Sequence, residues 1–385
     1  MSKSDVGPLM IISSLKNRLS PELWLIAKIF IISRFFYYAV VVTVLFVEDL
    51  GFKPSLSLCQ YDCGWYSSIT ARGYMKTALT EGQVGAANWA FFPLHPLIVK
   101  AVSDLTTIPV LGVAYILGNL FLFGALIYLH KYISSQFSVK AARNTLILVA
   151  ASPVNVYFTS FYTESLFLFL STATIYYVTQ RRWILAGVLG SLLGATRNTG
   201  FLVGVIFVAV FVFNRDWERE DSKLRSFLFS LTLIPIGLLT YMVFLHYRAG
   251  DYLAFYHTQK AGWGWNQNKS PLWIFDSLRW LVGGQLFGPA STKVLHSVLM
   301  VACISCLYFL LKKRYIELIV LLPITLFTLN STLFAYRYFL GLYPIYLMFA
   351  LLSENRKWLF RALLACEVVV MPLAVHLWVT GFGPV

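Results

Sequence analysis

The chain has 385 residues and a net charge of +14, yet only 12% of its residues are charged and 58% are hydrophobic. Water-soluble domains carry about 25% charged residues, so the surface of this chain cannot be made polar enough for water. These proportions exclude a soluble enzyme, a nucleic-acid binder and a disordered scaffold. They indicate an all-α integral membrane protein that crosses the bilayer several times.

Apolar blocks separated by charges or helix breakers predict about eleven membrane-spanning helices. They lie near residues 22–47, 108–129, 144–158, 163–179, 183–196, 200–213, 226–246, 293–311, 315–330, 336–352 and 358–379. Several blocks are shorter than the roughly 20 residues of a straight span, so we expect those helices to be broken or paired into one crossing. The sequence contains no internal repeat or separate soluble domain, and we expect residues 1–385 to form a single polytopic domain.

The basic residues gather in short clusters between the apolar blocks, as they do in cytoplasmic loops under the positive-inside rule. The clusters are Lys131, Lys140 and Arg143; Arg181 and Arg182; Arg215, Arg219, Lys223 and Arg225; Lys312, Lys313 and Arg314; and Arg356, Lys357 and Arg361. With the N-terminus also inside, the alternation of eleven spans places every cluster inside. It places two long connections, residues 48–107 and 247–292, on the outer face together with the C-terminus.

The two long outer connections differ in composition from the inner loops, because both are rich in Trp, Tyr, Gly, Pro, Asn and His. Amphipathic stretches near residues 65–73, 95–103 and 272–284 are expected to lie in the membrane interface. Long loops on a rigid scaffold commonly carry functional residues. We therefore expect these two loops to form the active-site face.

Asp62 is the candidate catalytic residue, because it follows the first span within the aromatic run Gln60–Tyr66. Aromatic walls and limited water would raise the pKa of its carboxyl group toward the pH at which a general base works. The alternative is an aspartate that caps a helix starting two or three residues later. Cys59 and Cys63 flank Asp62, and their spacing leaves a disulfide between them open.

Four further candidates lie at predicted outer helix ends. His95 stands in the run Ala90–Pro96, where two prolines fix a bend and open a helix; anchoring by the aromatic side chains is the alternative. Glu164 begins a span, where capping of the helix N-terminus is the alternative. Arg197 and Arg337 lie between apolar residues, where a charge usually faces a cavity or a partner. For them a binding role competes with an ion pair to Glu164 or to the loop aspartate.

The second outer loop combines cations with tryptophan. Arg248, His257 and Lys260 precede Trp263. Cations suit a phosphate group, and an indole face suits the C–H side of a sugar. A belt of snorkelling side chains at the interface would give a similar pattern.

Taken in order, these motifs resemble the PIG-V family of the GPI mannosyltransferase 2 type, including its bacterial relatives. The resemblance covers roughly residues 20–355. It rests on the segments Asp62–Tyr74, Ala90–Pro96, Ser152–Ser165, Ala195–Gly200 and Arg337–Tyr338. His95 stands where a tyrosine is common, Thr163 replaces a serine, and residues 198–200 replace a Ser-Asn-Gly-like run, which leaves the acceptor open.

The resemblance implies a GT-C glycosyltransferase, a polytopic helical enzyme whose active site lies on the non-cytoplasmic face. The implied donor is polyprenyl-phosphate mannose, or dolichyl-phosphate mannose in a eukaryote. The implied acceptor is a lipid-linked glycan or a GPI-like glycolipid, with Asp62 as the general base. The implied substrate-binding residues are Trp65, Tyr66, His95, Glu164, Arg197, Arg248, His257, Lys260, Trp263 and Arg337.

The sequence has no nucleotide-binding motif and no cluster of metal ligands, so we expect no required cofactor and no metal site; a divalent cation on a single carboxylate is left open. The membrane would be the bacterial inner membrane or the endoplasmic reticulum. The rival class is a lipid or glycan transporter or flippase, which would place polar residues deep in spans on both sides of the midplane. Here the candidates crowd one face, which favours an enzyme, although Glu367 and His376 in the last span are not explained.

Overall fold

The computed structural model describes residues 20–51, 59–213, 221–263, 290–329 and 341–381. Sixteen α-helices and two 3₁₀ helices lie in these ranges, and the described residues contain no strand. The all-α prediction is therefore confirmed for the part of the chain that the structure describes.

The helices follow one another closely along the chain. They are α1 (Pro21–Val47), α2 (Cys63–Arg72), α3 (Leu94–Thr106), α4 (Val110–Gln136), α5 (Val139–Ala151), α6 (Asn155–Thr159), α7 (Glu164–Thr179), α8 (Trp183–Gly194), α9 (Val203–Phe213), α10 (Asp221–Leu233), α11 (Ile236–Ala249), α12 (Ala254–Gly262), α13 (Ala290–Leu311), α14 (Tyr315–Leu329), α15 (Tyr343–Leu352) and α16 (Lys357–Val379). The 3₁₀ helices are Asn88–Ala90 and Asn198–Leu202.

Four helical segments are long and apolar enough to cross a membrane: Pro21–Val47, Val110–Gln136, Lys223–Ala249 and Lys357–Val379. Shorter apolar helices accompany them. The chain is a membrane protein. The number of eleven spans stays a prediction.

Helix boundaries differ most from the predicted blocks in three places. The block 226–246 consists of α10 and α11, with Pro235 in the break between them. α4 continues past the predicted end at residue 129, because Tyr132 and Ile133 are buried and extend its packed face. The predicted block 144–158 consists of two helices, α5 and α6, with Pro153 in the break between them. Residues 272–284 and the first part of the block 336–352 lie outside the described residues.

Contacts between helix termini define two ends of the bundle. Glu48, directly after α1, lies 3.2 Å from His376 near the end of α16 (Oε1 to Nδ1), which accounts for a histidine that the sequence left unexplained. At the opposite end, Ser138 before α5 donates a hydrogen bond to Glu354 after α15. We call the first the site end, because Asp62 follows α1 there, and the second the basic end, because Arg314 lies over the Phe137 ring there and Arg356 follows Glu354 closely.

Glycines let the helices of the bundle approach closely, as small residues do in membrane proteins. α11 crosses α8 at Gly237, where a Cβ atom would lie 1.9 Å from the carbonyl oxygen of Ser191. α8 also meets α10 at Gly187, where a Cβ atom would lie 2.9 Å from the carbonyl oxygen of Ser230. These contacts fix the position of α8, which leads into the turn at the candidate site.

Replacing Gly237 by alanine should therefore destabilise the fold, because the new methyl group would overlap the backbone of α8. Overpacking of this kind costs about 1–3 kcal/mol. Gly204→Ala is the matched control, since the nearest atom to its Cβ would be 3.7 Å away. The measurement is the thermal unfolding midpoint of each purified variant in detergent, and a Gly237→Ala protein as stable as the control would contradict the close crossing.

Candidate active site

A tight turn before α2 carries Asp62. A disulfide joins Cys59 and Cys63 across it, with Cα atoms 5.2 Å apart. Tyr61 has a left-handed backbone (φ 51°) within this turn. Asp62 occupies the N-cap position of α2, but its side chain makes no capping hydrogen bond. The capping alternative therefore does not describe the role of this carboxylate.

Tyr162 holds the backbone of this turn through two hydrogen bonds. The Asp62 N–H donates to the Tyr162 hydroxyl oxygen at 3.0 Å, and the same hydroxyl donates to the carbonyl of Gln60 at 3.1 Å. The Tyr162 ring packs 5.5 Å from that of Trp378, which is buried and also contacts the ring of Tyr61 at 5.5 Å. The Tyr162 hydroxyl and the buried Trp378 indole thus fix the position of Asp62 relative to the helices.

A buried ion pair lies beside this turn. Glu164 is 3% exposed and pairs with Nη2 of Arg197, whose Nε donates to the Thr163 hydroxyl at 2.8 Å. An ion pair of Arg197 with Glu164 was the alternative to a binding role, and it is the arrangement found. Because Glu164 neutralises Arg197, this arginine offers less net positive charge to a phosphate than its position in the sequence suggests.

Tyr66 connects α2 to the ion pair. Its hydroxyl lies 3.5 Å from that of Thr163. Burial raises the pKa of Tyr66, Arg197 lowers it, and the carboxylates of Glu164 and Asp62 raise it further. The Tyr66 hydroxyl is therefore within electrostatic reach of all three charged groups, and the structure brings these predicted site residues together.

The turn that follows α8 positions Arg197. After Gly194 the chain turns through the 3₁₀ helix Asn198–Leu202. A Cβ atom on Gly200 would lie 2.2 Å from the carbonyl oxygen of Leu193, so only glycine allows the chain to turn back this closely. The Ala195 carbonyl accepts the N–H of Leu94 at 3.1 Å, which ties the turn to the start of α3.

A pocket of about 530 Å³ opens along the other face of α2. Its lining residues are Gly64, Trp65, Ser68, Arg72, Gly73, Tyr74, Met75, Leu79, Asn88 and Arg248. Two of them are arginines and none is acidic. Trp65 lies 5.5 Å from Trp263 and 5.8 Å from Phe91 between ring centroids, so an aromatic wall closes one side. The pocket joins positive charge to an indole face.

Residues 61–287 match the model of a protein family described as Mannosyltransferase (PIG-V). The chain belongs to this family. The match covers more than half of the chain and includes Asp62, the pocket and the Glu164–Arg197 pair. Family membership places the chain among the glycosyltransferases.

One solved structure with a similar fold is the oligosaccharyltransferase of Archaeoglobus fulgidus in its apo form. The TM-score is 0.47 at 13% sequence identity, and the alignment covers 92% of this chain. It covers 56% of the archaeal chain, so the present chain spans about half the length of that protein. No curated protein matches the chain at a significant level.

The motif Asn88–Pro96, which includes the run Ala90–Pro96 that resembles the PIG-V family, holds the loop that follows α2, and its first residue Asn88 lines the pocket. The Asn88 amide accepts the Met75 N–H at 2.9 Å and donates to the Gly73 carbonyl at 3.0 Å. The Trp89 indole donates to the Met75 carbonyl at 2.8 Å. The Tyr74 hydroxyl donates to the Phe91 carbonyl at 2.7 Å. The motif is therefore a framework for the loop that follows α2.

The segment that follows α11 packs onto the loop after α2 through α12. The Thr258 hydroxyl donates to the Gly85 carbonyl at 2.9 Å, and Gln83 donates to the Gly262 carbonyl at 2.7 Å. A Cβ atom on Gly262 would lie 2.5 Å from the Cα of Ala86. This contact brings Trp263, at the end of α12, against the aromatic wall.

Of the predicted site residues that the structure describes, Trp65 and Arg248 line the pocket, whereas Asp62, the Glu164–Arg197 pair and the predicted residues of α12 are not part of its lining. The Nδ1 atom of His257 is 2.6 Å from Oδ2 of Asp251, at the start of α12. Lys260 is exposed on the same helix and does not line the pocket. Arg337 lies outside the described residues. Within the described ranges, no group of three or more His, Cys, Asp or Glu side chains could hold a metal ion.

Arg72 and Arg34 are site residues that the sequence interpretation missed. Arg72 lies in the last turn of α2, within a motif that was recognised but given no role for this residue. Arg34 lies inside the first apolar block, where a charge is itself an indication of function. In this structure Arg34 is 6% exposed, and it donates a hydrogen bond to the Thr159 hydroxyl at the end of α6.

His95 packs behind Tyr66 rather than in the pocket. Its ring is fully buried against Phe161 (5.3 Å), Phe121 (6.1 Å) and Tyr66 (6.4 Å), measured between centroids. Neither ring nitrogen has a hydrogen-bond partner among the described residues. Burial lowers the pKa of His95 to about 3. The imidazole is therefore neutral at physiological pH and does not supply a cation.

This burial predicts a loss of stability in mild acid. In the unfolded chain His95 takes up a proton below its ordinary pKa of 6.5, whereas in the folded chain it does not until about pH 3, so stability falls as the pH drops below 6.5. The loss from pH 7 to pH 5 is about 2 kcal/mol at 1.36 kcal/mol per pKa unit. The measurement is the unfolding midpoint at both pH values. Between pH 7 and pH 5, the His95→Phe protein should lose less stability than the wild type. The His257→Gln protein, changed at an exposed histidine, should lose as much stability as the wild type. Equal losses in wild type and His95→Phe would contradict the assignment.

Proposed function

We propose that this protein is a membrane mannosyltransferase that moves mannose from a polyprenyl-phosphate mannose donor to a lipid-linked glycan or GPI-like glycolipid. The observation that carries the proposal is the pocket along α2. Its lining begins at Gly64, two residues after Asp62 in the sequence, and includes Trp65, Arg72 and Arg248. A carboxylate, an indole face and two cations are the groups needed to activate a hydroxyl, stack a sugar and hold a phosphate.

In this reaction Asp62 is the general base. It takes the proton from an acceptor hydroxyl as that oxygen attacks C1 of mannose. The new bond joins C1 to the acceptor oxygen, the bond from C1 to the phosphate oxygen breaks, and the electron pair leaves with the lipid phosphate. Attack opposite the leaving group inverts the configuration at C1, as the resemblance to the PIG-V family implies.

The cations at the far end of α2 would stabilise the leaving phosphate. A phosphate leaving group gains charge in the transition state, and fixed donors aimed at that charge are the main source of stabilisation. Nε of Arg248 donates to the Tyr74 carbonyl at 2.7 Å, which holds the guanidinium in place while leaving further N–H groups for a ligand. Arg72 supplies a second cation that the described residues do not neutralise with an ion pair.

Trp65 and Trp263 would form the sugar-binding wall. Their rings meet at a steep angle of 61°, and Phe91 supports both. An indole face presented to the pocket suits the C–H side of mannose. Tyr66 lies behind this wall and links it to the ion pair.

The active site would face away from the cytoplasm. The basic clusters adjoin the end of the bundle opposite Asp62, as the positive-inside rule requires for that orientation. The disulfide between Cys59 and Cys63 supports the same orientation, because disulfides persist in oxidising, non-cytoplasmic compartments. The membrane would be the bacterial inner membrane or that of the endoplasmic reticulum.

A transporter would require polar groups in the spans that face a passage. Arg34 and Glu317 do lie within apolar helices, but each is bonded to a neighbouring side chain: Arg34 to Thr159, and Glu317 to the Tyr132 hydroxyl. These contacts lock helices together. They favour a fixed scaffold for an enzyme over a moving carrier.

Asp62→Asn tests the proposed function most sharply at one residue. Removal of the charge with retention of size should lower the turnover number by ~10²–10⁴-fold. The thermal midpoint should stay near that of the wild type, because the Asp62 side chain makes no capping bond. Transfer of radiolabelled mannose from polyprenyl-phosphate mannose to membrane lipids is measured per folded molecule.

Asp104→Asn is the control for this variant. Asp104 is an exposed carboxylate on α3 that pairs with Lys100 on the same helix surface, so its removal should leave transfer unchanged. Near-normal turnover in folded Asp62→Asn protein would move the base to another residue.

A further inference from the structure

Arg34 lies at the centre of the first membrane-spanning helix. α1 runs from Pro21 to Val47, so Arg34 has thirteen residues of helix on either side (34 − 21 = 47 − 34). At 1.5 Å per residue this places it about 20 Å from each end of the helix. Its side chain is 6% exposed. A charge at this depth is costly and is retained only where it does specific work.

Arg34 bonds to two neutral side chains of α6, and its Nε also donates to the neighbouring Ser33 hydroxyl at 3.5 Å. Nη1 donates to the Thr159 hydroxyl at 3.1 Å, and Nη2 donates to Oδ1 of Asn155. The guanidinium also lies 5.3 Å from the centre of the Tyr37 ring. No carboxylate pairs with it among the described residues. The cation is therefore committed to the short helix α6 rather than neutralised.

Asn155 connects Arg34 to the break between α5 and α6. Its Nδ2 atom donates to the carbonyls of Ala150 (2.9 Å) and Ser152 (2.6 Å), which lie at the break between the two helices. By binding Oδ1, Arg34 orients the amide so that both N–H bonds point at those carbonyls. The contact sets where α6 leaves the line of α5.

α6 leads directly into the support of Asp62. Tyr157 packs 5.0 Å from Trp378 and 5.5 Å from Tyr162 between ring centroids. The Tyr162 hydroxyl then bonds to both sides of the Asp62 turn. A shift of α6 would therefore move the Tyr162 hydroxyl, which fixes the position of Asp62.

We propose that Arg34 is a positioning residue for Asp62, acting through Asn155, α6 and Tyr162 from the middle of the membrane. This inference rests on the proposed role of Asp62 as the base. A displacement of about 1 Å at a reacting group can cost on the order of 10²-fold in rate. Loss of Arg34 should therefore lower turnover without contact between this residue and substrate.

The experiment compares Arg34→Gln, Arg34→Lys and Thr159→Val with the wild type. Lys28→Gln is the control, because Lys28 is an exposed cation on the same helix. Arg34→Gln should lower kcat by about 10–10²-fold with little change in KM, Arg34→Lys and Thr159→Val should lose less, and Lys28→Gln should lose nothing. A wild-type kcat per folded Arg34→Gln molecule would overturn the proposal.

Two further measurements separate positioning from general stability. Amide hydrogen exchange at residues 60–66 should be faster in Arg34→Gln than in Lys28→Gln, because the turn loses its support. In a double-mutant cycle, Arg34→Gln should cost little more in kcat once Asp62 is Asn, since positioning matters only while the base is present.

The outcomes distinguish the two proposals. A full additional loss in the Asp62→Asn background, or unchanged exchange at residues 60–66, would overturn positioning by Arg34. Full activity of Asp62→Asn would move the base to another residue, and a wild type that transfers no mannose would overturn the proposed function. In that case the exchange rates still decide whether Arg34 supports the turn.

Discussion

The buried ion pair of Glu164 and Arg197 is the interaction on which the site end of the bundle depends. Neither charge could remain in this position alone, since loss of one partner of a buried pair costs about 3–5 kcal/mol. The pair joins the start of α7 to the turn after α8. Through Thr163 it also reaches Tyr66 on α2, the helix that carries Asp62 at its start. One electrostatic contact therefore holds together three segments that are distant in sequence.

Buried polar contacts also hold helices together within the membrane-spanning part of the bundle. Arg34 bonds to Asn155 on α6, Tyr157 of the same helix packs against Tyr162, and Tyr162 bonds to the Asp62 turn. In hydrocarbon each unpaired polar group is costly, so a satisfied set of contacts of this kind has one stable arrangement. The pocket above it is correspondingly rigid: the Asn88 amide and Arg248 are both committed to backbone carbonyls. A preformed site of this type suits a reaction in which fixed charges stabilise a leaving phosphate.

The all-α fold class could be predicted from the sequence because it follows from composition and periodicity. The apolar blocks, the basic clusters and the aromatic loops each carry a local pattern. Arg34 was missed because its partners lie 121 and 125 residues away, and no local pattern reports such a pairing. Arg197 was recognised as unusual, but only the packing of α7 against α8 decides that Glu164 neutralises it. For the same reason Arg72 acquires meaning only once α2 is seen to line a pocket.

Transfer of mannose from a lipid phosphate is tested most directly by the choice of donor. Purified wild-type protein, free of any synthase that interconverts the donors, receives either radiolabelled polyprenyl-phosphate mannose or radiolabelled GDP-mannose, with membrane lipids as acceptors. The proposed site combines Asp62, Trp65, Arg72 and Arg248. It predicts that label appears in a glycolipid product from the lipid donor alone. Efficient transfer from GDP-mannose, or no transfer from polyprenyl-phosphate mannose, would contradict it.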